Sequence, residues 1–250
     1  MGGNVTEAIV EAAQVEAGMR ILDVACGTGE PTISLARQLN GTGEVIGTDI
    51  VSEPLKVAEE RAASHRLTNV QFQLADVHQL PFPDGTFERI TSRLGVMFFA
   101  DLPRAVSEMR RVLKQNGRLV LLAWGPMEQP YFQTMVGTPL RTIPGAELPD
   151  SGKQVFLFGR TGSLTQTLTK AGFRAVDEKL RTVPWTWPGT PEEVWAYFQE
   201  VAVPFAPLLK SIPLERRVEV DAAVLQAISP YYDGREVKFT ATINITSAVK

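Results

Sequence analysis

Apolar positions in the first half of the chain alternate between two periods. Short runs of branched apolar residues predict five strands, at residues 20–25, 44–48, 70–74, 87–92 and 118–124. Apolar residues three or four positions apart predict helices between them, at residues 31–39, 54–63 and 102–113. The alternation predicts a doubly wound, mainly parallel α/β sheet covered by helices on both faces. Such sheets bind ligands at the carboxyl ends of their strands.

The second half of the chain is less regular. Residues 125–160 are rich in proline and glycine and predict an excursion with one or two short helices. A helix near residues 162–171 and a strand at residues 173–183 resume the alternation, and residues 184–233 have a mostly helical pattern. Residues 236–249 alternate like a final strand.

These patterns predict three parts of the chain. We expect a Rossmann-like, cofactor-binding half at residues 1–125 and an irregular insertion at residues 126–160. Residues 161–250 are expected to complete the sheet, with a helical cap at about residues 184–233 that binds the substrate.

Composition narrows the class of protein. The chain has 250 residues, a formal net charge of −3 and 21% charged residues, which does not favour nucleic acid as a partner. The single cysteine, Cys26, excludes an internal disulfide framework and a multi-cysteine metal site. The sequence contains no run of 18 apolar residues and no signal-peptide pattern at its start. We therefore predict a soluble cytoplasmic protein without stable membrane insertion or a bound metal.

The stretch LDVACGTGEP, at residues 22–31, contains a glycine turn between a strand and a helix. Gly27 and Gly29 would let the backbone approach a nucleotide closely. A dinucleotide-binding turn has a third glycine three positions later, where this chain has Thr32. The carboxylate of Glu30 would also repel a pyrophosphate. A nicotinamide cofactor is disfavoured by this turn but not excluded.

Two aspartates end the next two strands. Asp49, in VIGTDI, is placed to accept hydrogen bonds from ribose hydroxyls, and Asp76, in FQLADV, from an adenine amino group. The Val77 amide would donate to the adenine ring. Each aspartate by itself could equally be a helix cap or a turn residue. The glycine turn, Asp49 and Asp76 stand at the ends of three successive predicted strands. All three arise together by chance far less often than any one of them.

These motifs together carry a family resemblance. Residues 19–124 resemble a class I S-adenosylmethionine-dependent methyltransferase, similar to the ubiquinone/menaquinone-biosynthesis (methyltransferase type 11) branch. The matching stretches are LDVACGTG, GTDI, ADVHQLPFPDGTF and RRVLKQNGRLVLLAW. The resemblance implies a seven-stranded Rossmann-like sheet with a helical cap before the last strand. It also implies S-adenosyl-L-methionine as the cofactor and S-adenosyl-L-homocysteine as its product.

The resemblance also implies the cofactor-binding residues, which are Asp23, Ala25, Cys26, Gly27, Thr28, Gly29, Asp49, Ile50, Asp76, Val77 and Arg93. Asp23 would help to hold the methionine amino group through the loop or a water, and Ile50 would cover one adenine face. Arg93 has a position whose backbone usually faces that amino group. Its side chain could instead bind a substrate carboxylate or form a surface salt bridge.

The catalytic residues stay unknown at this point. Methyl transfer from a sulfonium is an in-line displacement, so alignment of donor and acceptor supplies much of the catalysis. Of the two histidines, His65 is expected on a helix surface, and His78 is expected to pack beside the adenine rather than to act as a base. Cys26 is interpreted as a small packing residue, because no partner for metal or nucleophilic chemistry lies nearby in the sequence.

An aromatic concentration near the C-terminus suggests where the acceptor binds. Trp185, Trp187 and Phe205 are predicted to bind a small, largely apolar acceptor that is quinone-like or secondary-metabolite-like. The same side chains could be plain core. The identity of the acceptor, the methylated atom and the oligomeric state are left open.

Two rival functions stay open at this stage. One is a nicotinamide-dependent oxidoreductase, and the other is a non-catalytic cofactor-binding scaffold. Nucleic-acid methylation is disfavoured, because SRLGVMFF follows the fourth strand in place of an Asn/Asp-Pro-Pro-aromatic motif. About 21 residues precede the first strand, fewer than relatives usually have, so either the N-terminus is shortened or another element closes the site.

Overall fold

Seven strands form one mixed sheet in the computed structural model, which describes residues 3–250. Their order across the sheet is β3-β2-β1-β4-β5-β7-β6. The strands are β1 Arg20–Val24, β2 Glu44–Asp49, β3 Val70–Leu74, β4 Phe87–Arg93, β5 Leu113–Trp124, β6 Arg174–Pro188 and β7 Glu236–Val249. This architecture confirms the predicted Rossmann-like methyltransferase sheet.

Helices fill most of the connections between these strands. They are α1 Gly3–Ala13, α2 Thr32–Leu39, α3 Ser52–Ser64, α4 Leu102–Val112, α5 Pro130–Phe132, α6 Thr138–Thr142, α7 Asp150–Val155, α8 Ser163–Lys170, α9 Pro191–Val201, α10 Ala206–Lys210 and α11 Arg217–Ile228. The last three lie between β6 and β7, as predicted for the helical insertion. Helix α1 was not among the predicted elements. Across residues 3–250, no helix has the length and apolar character needed to cross a membrane.

The chain divides into two compact units. The sheet unit comprises residues 5–123, 160–180 and 244–250. The aromatic unit comprises residues 124–159 and 181–243, together with residues 3–4. The candidate site described below is built from residues of the sheet unit alone.

Strand β1 lies between β2 and β4 in the buried, parallel part of the sheet. Its residues Ile21 and Leu22 are fully buried, as is Ile90 of β4, because helices cover both faces of a parallel sheet. Strand β1 pairs in parallel with β2 and β4, and β2 pairs in parallel with β3. The carboxyl ends of these four strands therefore meet at one edge, which brings the predicted strand-end residues together.

Strand β6 differs from its prediction. The strand continues to Pro188, so Trp185 and Trp187 lie on a strand and not in the predicted helical segment. Val183, Trp185 and Trp187 are buried while the residues between them are more exposed, which is the period of two that a strand produces. The prediction of a helical pattern from residue 184 was wrong at this point. The first helix of the segment instead begins after Thr190, which caps it reciprocally with Glu193.

The aromatic unit has a core of packed rings. Its buried aromatic residues include Tyr131, Phe132, Trp185, Trp187, Phe198 and Phe205. Tyr131 contacts Phe132, Trp185 and Phe198 with ring centroids 4.9, 5.7 and 6.1 Å apart. Such edge-on and tilted pairs stabilise a core beyond the effect of the area they bury.

Candidate functional site

A cavity of about 290 Å³ lies at the carboxyl edge of strands β1 to β4. Its lining residues are Val24, Ala25, Asp49, Ile50, Ala75, Asp76, Val77, His78, Leu94, Gly95, Phe98 and Phe99. The predicted cofactor residues Ala25, Asp49, Ile50, Asp76 and Val77 are thus brought to one cavity. The sequence analysis did not predict the cavity wall formed by Leu94, Gly95, Phe98 and Phe99. An apolar run with a glycine directly after β4 could have indicated it.

The two glycines of the turn, Gly27 and Gly29, are favoured for different reasons. Gly27 has φ +51° and a side chain there would meet no atom within 4 Å, so its backbone conformation alone favours glycine. Gly29 has φ +102°, and a Cβ atom on it would lie 2.9 Å from Ile33 and 3.1 Å from Ala58. Glycine at position 29 therefore lets the turn pack closely against α2 and α3.

Asp49 is fixed by two backbone groups. Its Oδ2 accepts a hydrogen bond from the Gly27 amide at 2.9 Å, and its Oδ1 accepts one from the Val51 amide at 3.0 Å. One carboxylate thus ties the glycine turn to the end of β2. Because each carboxylate oxygen has more than one acceptor site, Asp49 can still accept from a ligand hydroxyl in the cavity.

Asp76 is held by the residue two positions later. Its Oδ1 accepts from the His78 amide at 2.9 Å and from His78 Nδ1 at 2.6 Å. The hydrogen bond from the His78 amide holds the pKa of Asp76 below its ordinary value, so the carboxylate is charged at neutral pH. Asp76 and Asp49 therefore place two anionic acceptors in one cavity.

Asp23 lies beneath the turn and does not line the cavity. It is fully buried and accepts from the Thr32 amide at 3.1 Å, the Thr32 hydroxyl at 2.6 Å and the Thr91 hydroxyl at 2.8 Å. Burial raises its pKa to about 7, against the opposing effects of these hydrogen bonds and of Arg93. Asp23 therefore joins β1 to α2 and β4, and Thr32, in the position of the missing third glycine, takes part in that bracing.

Three charged residues lie close to one another at the glycine turn: Arg93, Glu30 and Arg61. Burial lowers the pKa of Arg93, and the nearby carboxylates of Glu30 and Asp23 act against that shift. Arg93 Nε is buried and has no hydrogen-bond partner within the described residues. Arg61 forms an ion pair with Glu30 at 3.2 Å and also donates to the Thr28 carbonyl. The predicted residue Thr28 thus contributes a backbone oxygen to the link between turn and α3.

Cys26 is a packing residue in this arrangement. Its side chain is 3% exposed, and its sulfur would lie 3.0 Å from a Cβ atom on Gly47 of β2. Burial raises the pKa of the thiol, which removes the thiolate that nucleophilic or metal chemistry requires.

The predicted acceptor-binding residues are in the aromatic unit and do not line the cavity. Trp185 and Trp187 have ring centroids 5.9 Å apart, and Phe205 packs against Phe132 and Phe198. Both tryptophan Nε1 atoms are buried without a hydrogen-bond partner in the part of the chain that the structure describes. Burial raises the pKa of Tyr131, whose ring centroid lies 5.7 Å from that of Trp185.

Sequence comparisons match part of the chain to methyltransferases. Residues 15–135 match a family described as a methyltransferase domain. The chain is 40% identical over 121 residues to the demethylmenaquinone methyltransferase of Staphylococcus aureus (strain MRSA252), covering 48% of this chain and 49% of that protein. It is 36% identical over 160 residues to an uncharacterized Mycobacterium tuberculosis protein, covering 62% and 56%. The chain spans about half the length of the curated relatives it matches.

Solved structures share the fold over nearly the whole chain. The YcgJ protein of Bacillus subtilis has a TM-score of 0.64 at 21% identity and covers 98% of this chain and 97% of its own. A methyltransferase-like protein of Bacillus halodurans has a TM-score of 0.61 at 22% identity, covering 98% of both chains. The fold is that of the class I S-adenosylmethionine-dependent methyltransferases. Within that class, the chain is similar to the menaquinone-biosynthesis branch, which confirms the resemblance in the sequence.

Proposed function

We propose that the chain binds S-adenosyl-L-methionine in the strand-end cavity and transfers its methyl group to a small, largely apolar acceptor. The observation that carries the proposal is the pair of carboxylates, Asp49 and Asp76, in one cavity with apolar walls. Ribose hydroxyls and an adenine amino group are donors, so they complement these acceptors, while Ile50 and Phe98 offer apolar surface to the adenine faces.

The charge at the turn favours a cationic cofactor over a dinucleotide. Asp49 directly contacts the Gly27 amide, the kind of group that would otherwise bind a pyrophosphate. A sulfonium is attracted by a nearby carboxylate, whereas a phosphate is repelled. This argument disfavours the nicotinamide-dependent oxidoreductase.

Arg93 is proposed to serve the amino-acid end of the cofactor or a substrate carboxylate. Its buried Nε has no partner within residues 3–250, and a buried donor without a partner is costly. Binding of a carboxylate would satisfy it. We assign no general base, because alignment alone supports methyl transfer to a sufficiently nucleophilic acceptor.

The acceptor is proposed to bind to the aromatic unit through Trp185, Trp187 and Phe205. Their rings supply apolar contact area, and the two indole N–H groups supply donors that are unpaired in the described chain. A quinone-like or secondary-metabolite-like molecule, with an apolar ring and an acceptor oxygen, matches both properties. In this proposal, residues 1–125 bind the cofactor, and the cap at about residues 184–233 selects the acceptor.

Binding and transfer need separate experiments. S-adenosylhomocysteine is expected to raise the melting temperature of the chain, and NADH is not. The reverse result would favour the oxidoreductase. Incubation of a cell extract with methyl-labelled cofactor, followed by mass spectrometry, should then show one labelled small molecule. Cofactor binding without any labelled product would favour the non-catalytic scaffold.

A further inference from the structure

His78 makes more contacts than a loop histidine beside a nucleotide requires. Its Nδ1 lies 2.6 Å from Asp76 Oδ1, and its Nε2 accepts a hydrogen bond from the Asp101 amide at 3.1 Å. We propose that His78 is a positioning residue that orients the Asp76 carboxylate to select adenine over other purines. The inference rests on the proposed cofactor, because it concerns how the same cavity reads the base.

The two contacts of the ring specify one tautomer. An amide N–H can only donate, so Nε2 must carry a lone pair toward Asp101. Nδ1 must then carry the ring proton, and it donates that proton to the carboxylate of Asp76. A ring protonated on both nitrogens would face the Asp101 amide with a second donor. The site therefore uses a neutral imidazole as a bridge from a backbone amide to a carboxylate.

Helix α4 holds the backbone of this loop in place. Four residues spaced three or four positions apart on α4 and at its N-cap face the loop: Asp101, Arg104, Glu108 and Arg111. Arg104 Nε donates to the His78 carbonyl at 2.9 Å, and Glu108 accepts from the Leu80 amide at 3.0 Å. Arg111 donates to the Leu80 and Phe82 carbonyls at 2.9 and 2.8 Å. Both the ring and the backbone of His78 are thus fixed to one helix.

The consequence for Asp76 is a defined orientation. Both hydrogen bonds from His78 go to Oδ1, and within residues 3–250 no hydrogen bond to Oδ2 occurs. Asp76 lines the cavity, so Oδ2 is the oxygen left for the ligand. A carboxylate oxygen accepts from the 6-amino group of adenine and repels the 6-oxo group of hypoxanthine. Without the imidazole, the carboxylate keeps only the contact to the His78 amide and gains rotational freedom.

The test compares two ligands that differ at this position of the base. Affinities for S-adenosylhomocysteine and S-inosylhomocysteine would be measured by calorimetry for the native chain, His78→Ala and His78→Asn. We expect the native chain to prefer the adenine ligand and His78→Ala to lose about tenfold of that preference. His78→Asn should recover most of it, because the side-chain amide can donate to Asp76 from the Nδ1 position. His65→Ala, which changes the other histidine, is the matched control and should behave like the native chain.

A double-mutant cycle separates positioning from a general structural role. In an Asp76→Ala background, His78→Ala should have no further effect on the preference between the two ligands. An equal loss of affinity for both ligands in His78→Ala, or an unchanged preference, would overturn the inference. Failure of the native chain to bind either ligand would instead overturn the proposed function, and the inference with it. His78→Asn and the melting temperature of each variant keep the test decisive if His78→Ala folds poorly.

Discussion

Three aspartates of the sheet unit and two tryptophans of the aromatic unit differ in how their polar groups are paired. In the sheet unit, Asp23, Asp49 and Asp76 each accept at least two hydrogen bonds that fix their orientation. In the aromatic unit, the Trp185 and Trp187 indoles are packed among rings but have no partner for their N–H groups within the described residues. Hydrogen bonds within the chain therefore hold the three aspartate side chains in place. The aromatic unit instead has apolar ring surface beside these two indole donors.

The sheet unit also contains residues other than glycine with positive φ angles. Ala25 and Leu94 both have positive φ, at +57° and +61°, and both line the cavity of the sheet unit. Such conformations are costly for residues other than glycine and persist where surrounding contacts enforce them. Pairing of the Leu94 amide with the Leu122 carbonyl at 2.7 Å is one such contact. The strand-end cavity is therefore a preorganised site.

The largest expected effect tests whether the tryptophans are core or pocket. Trp185→Ala should destabilise the chain by about 3 to 5 kcal/mol, because it removes a buried ring from an aromatic cluster. Trp185→Phe retains a ring without the N–H and should cost much less. Urea unfolding measures both changes, and acceptor binding is measured on each variant that folds. If Trp185→Phe loses stability but binds the acceptor with unchanged affinity, the proposal that Trp185 contacts the acceptor is contradicted.

The next effect concerns the ribose. Asp49→Ala removes the proposed acceptor for two ribose hydroxyls as well as the partner of the Gly27 amide, and should weaken cofactor binding by roughly 2 to 4 kcal/mol. Calorimetry with S-adenosylhomocysteine checks this value. Asp177→Ala, at an exposed ion pair with Lys179, is a control that should bind normally. Equal affinities for the two variants would refute ribose binding by Asp49.

Buried Asp23 should make the sheet unit less stable as pH rises. Burial raises the pKa of Asp23 from 3.8 to about 7, so the folded chain keeps a proton that the unfolded chain has already released. The unfolded state then binds fewer protons, and stability falls from the unfolded pKa up to the folded one. From about pH 5 to pH 8 the native chain should lose roughly 2 to 3 kcal/mol relative to Asp23→Asn. A difference between the two that is constant with pH would contradict the raised pKa.

The smallest effect is expected at the adenine edge. Asp76→Asn replaces an acceptor oxygen by an amide that can present its N–H groups to the adenine amino group. Cofactor binding should weaken by about five- to tenfold, with little change in melting temperature because the side chain is half exposed. A variant with a lower melting temperature and normal affinity would instead make Asp76 a loop cap.

Most of the sheet unit was predictable because its signals are local. The alternation of strands and helices over residues 20–124, the two glycines of the turn, and the aspartates at the ends of β2 and β3 follow from periodicity and short motifs. These features need only neighbours in the chain, and parallel pairing then brings the strand ends to one edge. Resemblance of the motifs to a family added the expected cofactor.

The remaining features depend on residues that are distant in the sequence. The close approach of Gly29 to Ala58, the His78 contact with the Asp101 amide and the cavity wall near Phe98 all arise where separate elements pack. The pKa of Asp23 likewise depends on burial and on hydrogen bonds from Thr32 of α2 and Thr91 of β4. The sequence by itself determined which groups stand at the strand ends. Tertiary structure decided which of them face the cavity and which brace it, because burial and hydrogen bonding between distant residues set the orientation and charge of each side chain.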